Sequence, residues 1–384
     1  MSSTQIIFDY AASAPWEQVI SSYDGMDGLE SDIESMVDDG ATKDECWERI
    51  WDHEVRMFES NQAHRERVQA LYTTAGVDIL SVTPWAHEQS VSSLHGQRRD
   101  LARWQSRFDT APWLHKITTP EDVEAVRENG AVGVILNTQN LGAATDGSLS
   151  DIELLYNDGV RIFQLTYNAQ NVFGTGCNDI STGGLSKQGQ AAVNLINELG
   201  GIVDISHCGM QTTLDTIECS TAPVAVTHAT CQSVHDHYRG KSDTELERLA
   251  ENDGYMGIVA LPWFISPIGS PTAVETLITH LRRAGEIVGE QNIGIGTDFF
   301  PADSQFPPSL VGYYKQYIIE KGFDPEKVAK RSIAGGLHDF ETYTDWPQLA
   351  DAVTDTFGHE IAQGVLGENF LAFWKRARRI QSAG

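Results

Sequence analysis

Eight short runs of apolar, largely β-branched residues recur along this 384-residue chain, and helical patterns separate them. The runs are hydrophobic almost without interruption, which is typical of parallel strands covered on both faces. They occupy residues 6–10, 77–83, 132–138, 161–167, 201–206, 223–228, 255–261 and 292–298. Strands that alternate with helices in this way predict an α/β fold, a (β/α)8 TIM barrel.

The segments between the later runs carry signals for the start and end of helices. Residues 185–201 place their apolar side chains along one side and end at Gly200 and Gly201, and residues 242–254 open with a Ser-Asp cap. An open doubly wound sheet is the alternative, but no GxGxxG motif follows an early strand. We expect one barrel domain over 1–384, with a helical insertion at about 17–76 and a helical C-terminal segment at about 311–384.

Charge and composition limit the partners that this chain can have. Its formal net charge of -27 repels nucleic acid and anionic lipid. No apolar run approaches the length needed to span a membrane, and the first residues lack a signal-peptide pattern. The five cysteines form no CxxC pair. We therefore expect a cytoplasmic protein that binds neither nucleic acid nor membrane.

The carboxyl ends of the strands build the active site in a barrel of this type. Here they carry polar residues: Asp9, Tyr10, Gln139, Asn140, Tyr167, Asn168, His207, His228 and Asp298. His207 and His228 follow neighbouring strands, so their imidazoles could bind one cation. Asp298 follows the last strand, where its carboxylate could take a proton from metal-bound water. The pattern predicts a metal site at this end of the barrel.

Three longer stretches resemble the renal (membrane) dipeptidase family. They are "GLSKQGQAAVNLINELGGIVDISHCG", "APVAVTHATCQSVHDHYRGKSDTELERLAENDGYMGIVAL" and "NIGIGTDFF", and "GENFLAFWKR" follows near the end. The resemblance covers roughly residues 130–375. It implies a barrel of the metal-dependent amidohydrolase type that hydrolyses dipeptides at a two-zinc site. Because members of the family commonly pair, a homodimer is the expected assembly.

The resemblance also implies roles for four residues. His207 and His228 match the two histidines that bind the same zinc ion, and Asp298 matches the aspartate that handles the proton of the attacking water. Arg239 matches an arginine that binds the carboxylate of the substrate, a task that suits a bidentate guanidinium.

At four places the sequence departs from the family's pattern. Ala11 and Ser13 stand where the first strand of the family carries an HxD pair that holds the other zinc ion. Gln139 stands at the position of the bridging glutamate, and Tyr167 at that of a histidine that polarises the scissile carbonyl. Since alanine, serine and a neutral amide are poor zinc ligands, we predict that the second metal site is lost.

One zinc ion remains in this interpretation, held by His207 and His228 with Gln139 as a weak ligand. A catalytic zinc ion usually has three protein ligands. The candidates for a stronger third ligand are Asp9, Tyr10, Cys208 and Cys177.

These residues predict a divergent dipeptidase-like hydrolase that uses metal-bound water to cleave the C–N amide bond of a dipeptide or small N-acyl amino acid. Arg239, Asn168 and Asn140 would bind the substrate, and Tyr167 or Asn168 would stabilise the oxyanion. Two alternatives remain open. The same barrel could perform a lyase or decarboxylase reaction on a small polar substrate, or it could be a non-catalytic homologue that binds a small molecule.

Overall fold

Eight parallel strands form the centre of the molecule. The structure is a computed structural model that describes residues 6–12, 26–84, 94–267, 273–299, 315, 316, 319 and 337–379. Each strand pairs with its neighbours in the order β1-β2-β4-β5-β6-β7-β9-β10. These strands are β1 (Phe8–Ala12), β2 (Ile79–Val82), β4 (Val132–Thr138), β5 (Val160–Gln164), β6 (Ile202–Asp204), β7 (Ala225–Cys231), β9 (Tyr255–Ile258) and β10 (Ile293–Ile295).

The two ends of this order meet, so the sheet is a nearly closed barrel. Thr297, just after β10, donates from its backbone N to Asp9 Oδ1 of β1 at 2.9 Å. Each of the eight predicted runs overlaps one barrel strand, and the predicted (β/α)8 fold is confirmed. Two short additional strands, β3 (Leu114–Lys116) and β8 (Gly240–Lys241), pair with β4 and β7.

Helices occupy most of the connections between the strands. They are α1 (Met26–Asp38), α2 (Lys43–Ser60), α3 (Gln62–Ala75), α4 (Leu94–Thr110), α5 (Asp122–Asn129), α6 (Leu141–Thr145), α7 (Leu149–Asp158), α8 (Lys187–Leu199), α9 (Met210–Cys219), α10 (Asp243–Glu251), α11 (Pro262–Ile265), α12 (Val274–Val288), α13 (Trp346–Phe357), α14 (His359–Gln363) and α15 (Asn369–Arg379). Short 3-10 turns lie at Glu290–Asn292 and Tyr343–Asp345, and a π-helical turn at Gly364–Glu368 links α14 to α15.

The helix boundaries follow the capping residues. The Ser186 side chain accepts from Gly189 N at the start of α8, and Gly200 ends that helix at φ 76°, where a side chain would be strained. Ser242 and Glu245 form a capping box at the start of α10. Local sequence therefore determines where these two helices begin and end.

Aromatic side chains close the barrel at the amino ends of its strands. Tyr10 lies 4.4 Å from Phe370 of α15, measured between ring centroids, and Phe8 lies 4.8 Å from the same ring. Asn369 Nδ2 donates to Ile293 O at the first residue of β10. Because α15 fills this end, the polar residues at the carboxyl ends of the strands lie at the opposite end.

The helices α1, α2 and α3 lie between β1 and β2, within the insertion predicted at 17–76, of which residues 17–25 lie outside the described part. Arg107 of α4 donates to Glu54 of α2, and His64 Nε2 of α3 lies 3.7 Å from Glu54 Oε1. Burial raises the pKa of Glu54, but Arg107 and His64 hold it below the ordinary value. These contacts of Glu54 tie α2 to α3 and α4. The division of the chain into domains stays a prediction, and 311–336 is almost entirely outside the described residues.

Candidate metal and catalytic site

Two histidines meet at the carboxyl ends of β6 and β7. His207 Nε2 and His228 Nε2 are 3.0 Å apart, and the side chains are almost fully buried. His207 follows β6 by three residues, whereas His228 lies within β7. The structure therefore brings together the two residues that the sequence singled out most strongly.

Hydrogen bonds define the tautomer of each ring. His207 Nδ1 lies 2.9 Å from Asn168 Oδ1, which can only accept, so this nitrogen carries the proton. His228 Nδ1 lies 2.8 Å from Thr227 Oγ1, whose hydroxyl hydrogen is donated to Asp204 Oδ2 at 2.6 Å. Thr227 must then accept from His228. Both rings are thus Nδ1–H tautomers, and both Nε2 atoms present lone pairs.

Two lone pairs at 3.0 Å repel one another unless an electrophile lies between them. Burial and the charge of Arg239 lower the pKa of both histidines well below the ordinary value, which disfavours a shared proton. Two nitrogens bound tetrahedrally to one zinc ion would be about 3.3 Å apart. The donor set therefore fits a divalent cation bound through both Nε2 atoms.

Other strong ligands do not accompany this pair in the described part of the chain. No group of three or more His, Cys, Asp and Glu residues there is arranged to hold a metal ion. Ala11 belongs to β1, and Ser13 lies outside the described residues. Gln139 donates from Nε2 to Thr83 Oγ1 at 3.1 Å, which ties its amide to the end of β2.

Each candidate for a third ligand has other contacts. Asp9 accepts from Thr297 at the junction of β1 and β10, and Tyr10 donates to Gly367 O among the aromatic side chains below. Cys208 Sγ accepts from Thr166 at 3.3 Å, and burial raises the pKa of its thiol to about 11. Cys177 Sγ lies 3.5 Å from Asn168 Oδ1, the atom that also binds His207.

Asp298 follows β10 in a left-handed backbone conformation, φ 49°. Its side chain is partly exposed. Burial raises the pKa of this carboxyl to about 6, although the charge of Arg239 opposes the shift. A carboxylate with a pKa near neutrality is suited to exchange protons during catalysis.

Arg239 is buried next to the backbone that carries the histidine pair. Its guanidinium donates from Nη1 to Ser206 O at 2.5 Å and from Nη2 to His228 O at 2.7 Å, and it lies over the ring of Phe264. None of the ion pairs between described residues involves Arg239. A buried guanidinium without a carboxylate partner is suited to bind an anionic group.

Three predicted site residues line the same end of the barrel. The Tyr167 ring stacks on His207, with centroids 4.3 Å apart. Asn168 holds the His207 tautomer. Asn140 begins α6 at φ 65°, and its Oδ1 accepts from Ala143 N and from Asn171 Nδ2. The oxygen of Asn140 is therefore engaged within the protein.

The sequence interpretation missed Asp204 and Thr227. Asp204 accepts from Ser206 N, Ser206 Oγ, Thr227 N and Thr227 Oγ1. Burial raises the pKa of Asp204, whereas these four hydrogen bonds lower it. A hydroxyl residue directly before each histidine, Ser206 and Thr227, was the signal that could have revealed the network.

An eight-stranded parallel barrel with converging histidines at the carboxyl ends of adjacent strands is the arrangement expected of a metal-dependent barrel protein. Residues 33–330 match the sequence profile of the membrane dipeptidase family, peptidase family M19. The chain belongs to this family, and the resemblance noted in the sequence is confirmed.

Curated relatives carry dipeptidase names. An uncharacterized dipeptidase of Schizosaccharomyces pombe is 32% identical over 264 residues, which are 67% of this chain and 56% of that protein. The dipeptidase tcpJ of Claviceps purpurea is 28% identical over 216 residues, 55% of this chain and 51% of the relative. The aligned part of this chain thus spans about half the length of these two relatives.

Solved structures share the fold. The dipeptidase AC, a metallopeptidase of family M19, superposes with a TM-score of 0.70 at 17% identity, covering 97% of this chain and 99% of the other. An amidohydrolase from Pseudomonas aeruginosa gives 0.68 at 23% identity, covering 82% and 93%. Within the described ranges, no helix has the length and apolar character that crossing a bilayer requires.

Proposed function

We propose that this protein is a divergent, mononuclear metal-dependent hydrolase that cleaves the C–N amide bond of a dipeptide or small N-acyl amino acid. The observation that carries the proposal is the pair of Nε2 lone pairs at 3.0 Å, next to a buried guanidinium that makes no ion pair with a carboxylate in the described part. Membership of the membrane dipeptidase family supports the reaction type.

His207 and His228 would hold the metal ion, with Gln139 as a weak neutral ligand. A zinc ion bound there supplies a Lewis acid and lowers the pKa of a water molecule. Asn168 and Thr227 hold the two imidazoles in the tautomer that binds metal through Nε2.

Arg239 would bind the substrate carboxylate. The acceptors of its Nη1 and Nη2 hydrogen bonds are neutral backbone carbonyls, so the guanidinium can still form an ion pair with a substrate carboxylate. Asn168 offers its Nδ2 to the substrate, since its Oδ1 is engaged by His207. We assign Asn140 to holding the loop after β4, because its side-chain oxygen already accepts two hydrogen bonds.

Asp298 would take a proton during attack and return it to the leaving amine. A pKa of about 6 leaves the carboxylate mostly ionised at neutral pH and still basic enough to accept a proton. The Tyr167 hydroxyl would donate to the oxyanion, in the role that the family gives to a histidine.

Metal analysis combined with a dipeptide assay tests the proposal. The purified chain should hold about one zinc ion and hydrolyse members of a panel of dipeptides and N-acyl amino acids, and chelation should abolish the activity. Zinc binding without hydrolysis would favour a lyase or decarboxylase. No zinc after dialysis against zinc salts, together with no hydrolysis, would favour a non-catalytic binding protein.

A further inference from the structure

A buried aspartate binds a threonine at the end of β7. Asp204 of β6 accepts from Thr227 Oγ1 through Oδ2 at 2.6 Å and from Thr227 N through Oδ1 at 3.3 Å. Thr227 directly precedes His228, and its Oγ1 is the partner of His228 Nδ1. A single carboxylate therefore holds both the backbone and the hydroxyl of the residue before a proposed metal ligand.

The same arrangement recurs after β10. Asp9 of β1 accepts from Thr297 Oγ1 through Oδ2 at 2.6 Å and from Thr297 N through Oδ1 at 2.9 Å. Thr297 directly precedes Asp298, the proposed proton acceptor. Thr297 Oγ1 also accepts from Phe299 N at 3.1 Å, so this hydroxyl links Asp9 to the residue that follows Asp298.

We propose that Asp204 and Asp9 are positioning residues that act through these threonines, Asp204 on the metal ligand His228 and Asp9 on the proton acceptor Asp298. The inference rests on the proposed function for the roles of His228 and Asp298. We call each aspartate–threonine pair, Asp204 with Thr227 and Asp9 with Thr297, a clamp. That the two clamps orient two different site residues is argued from their hydrogen bonds alone.

The Asp204 clamp acts through the tautomer of His228. A threonine hydroxyl has one hydrogen, and Thr227 donates it in a hydrogen bond to the carboxylate of Asp204. Thr227 Oγ1 is then an acceptor for His228 Nδ1–H, which leaves Nε2 for the metal. Without the hydroxyl, His228 would populate the Nε2–H tautomer, which cannot bind metal through Nε2.

The Asp9 clamp acts through the backbone. Asp298 lies at φ 49°, a region that non-glycine residues rarely adopt. The hydrogen bonds from Thr297 to Asp9 and from Phe299 to Thr297 hold the chain on either side in place. Loss of the Thr297 hydroxyl would let Asp298 relax away from its position without touching the histidines.

Three threonine-to-valine variants test the proposal, because the exchange removes a hydroxyl with little change in volume. They are Thr227→Val, Thr297→Val and the control Thr230→Val. Thr230 is also buried on β7, but its Oγ1 has no hydrogen-bond partner among the described residues. Thr230→Val therefore measures how much a buried valine on β7 changes zinc affinity and kcat when no clamp is removed.

The two clamps should give different results. Thr227→Val should weaken zinc binding by roughly 10- to 100-fold, as expected for a lost partner of a metal-binding histidine. Thr297→Val should keep the zinc affinity and lower kcat by about 10- to 100-fold with KM unchanged, as expected for a misplaced catalytic group. Thr230→Val should match the wild type, and Thr227→Ser should restore zinc affinity because serine keeps the hydroxyl.

A readout without metal separates this inference from the proposed function. Nitrogen-15 NMR of histidine-labelled, metal-free protein should show His228 as the Nδ1–H tautomer in the wild type and a mixture in Thr227→Val. If the wild type binds no zinc, the proposed function fails while this measurement still tests the clamp. An unchanged His228 tautomer in Thr227→Val, or equal effects of Thr227→Val and Thr297→Val on zinc affinity, would overturn the inference.

Discussion

The Tyr167 ring lies flat on the imidazole of His207, with 18° between the ring planes and 4.3 Å between the centroids. The stack covers one face of His207, while Asn168 holds its Nδ1 edge. In this orientation the Nε2 atom of His207 points towards His228, 3.0 Å from its Nε2. Tyr167 therefore has two parts that substitution can separate, a ring that stacks on the proposed metal ligand His207 and a hydroxyl to which we assign the contact with the oxyanion.

Substitutions at Tyr167 should separate these parts. Tyr167→Phe keeps the stacked ring, so zinc affinity should not change, whereas kcat should fall by about a hundredfold if the hydroxyl stabilises the oxyanion. Tyr167→Ala should also weaken zinc binding about fivefold, since an aromatic contact contributes about 1 kcal/mol. Competition with a zinc chelator and steady-state kinetics measure the two effects. Equal kcat in Tyr167→Phe and wild type would contradict the catalytic role.

Removal of either histidine should empty the metal site. His207→Ala and His228→Ala each leave one strong ligand, so zinc content and hydrolysis should both fall to background while the barrel stays folded. His115→Ala is the matched control, because His115 is exposed on β3 and away from the paired rings. Elemental analysis measures the zinc content, and circular dichroism shows whether each variant is folded. Full zinc content in either site variant would show that the ligand assignment is wrong.

The pH dependence of activity should report Asp298. Its carboxylate form is needed as proton acceptor, and its pKa is about 6. Below that pH the protonated form dominates, so kcat/KM should fall about tenfold for each further pH unit, and above pH 7 it should level off. Asp298→Asn should keep zinc and lose turnover at every pH. The check is a pH–rate profile from pH 4.5 to 8, and a flat profile would remove Asp298 from the mechanism.

The sequence predicted the barrel because each barrel strand has its own apolar run and helices such as α8 and α10 have clear capping residues. The strands β3 and β8 were missed because their sequences, Leu-His-Lys and Gly-Lys, contain no apolar run. The position of His207, His228 and Asp298 at one end followed from the common direction of parallel strands. The position of these three residues could therefore be predicted, because it depends on the order and direction of the strands, which the apolar runs indicate.

The hydrogen-bond partners within the site could not be predicted in the same way. Gln139 binds Thr83, and Asp9 binds Thr297 across 288 positions, at the junction of the first and last barrel strands. Asn140 caps α6 through its Oδ1, which accepts from Ala143 N, and its predicted contact with substrate stays a prediction. Such contacts depend on side-chain orientations that form only when distant strands pack together.

Buried His280 should make the fold sensitive to acid. Its Nδ1 accepts from Cys231 N at 3.1 Å and its Nε2 donates to Ile265 O at 2.9 Å, so the neutral ring satisfies both neighbours. Burial lowers the pKa of His280 to about 4, against 6.5 in the unfolded chain. Between these values the unfolded chain binds a proton that the folded protein does not, so stability falls as the pH falls.

Urea unfolding at pH 7 and pH 4.5 measures this effect. His280 should account for about 2.5 kcal/mol of the loss in the free energy of unfolding over this interval, since most of the loss falls in the two pH units between 6.5 and 4.5, at up to about 1.4 kcal/mol for each. His280→Gln cannot titrate. It should be less stable than the wild type at pH 7, because a flexible amide replaces a fitted ring, yet it should lose less stability on acidification. An equal loss in both proteins would show that other groups govern the acid sensitivity of the barrel.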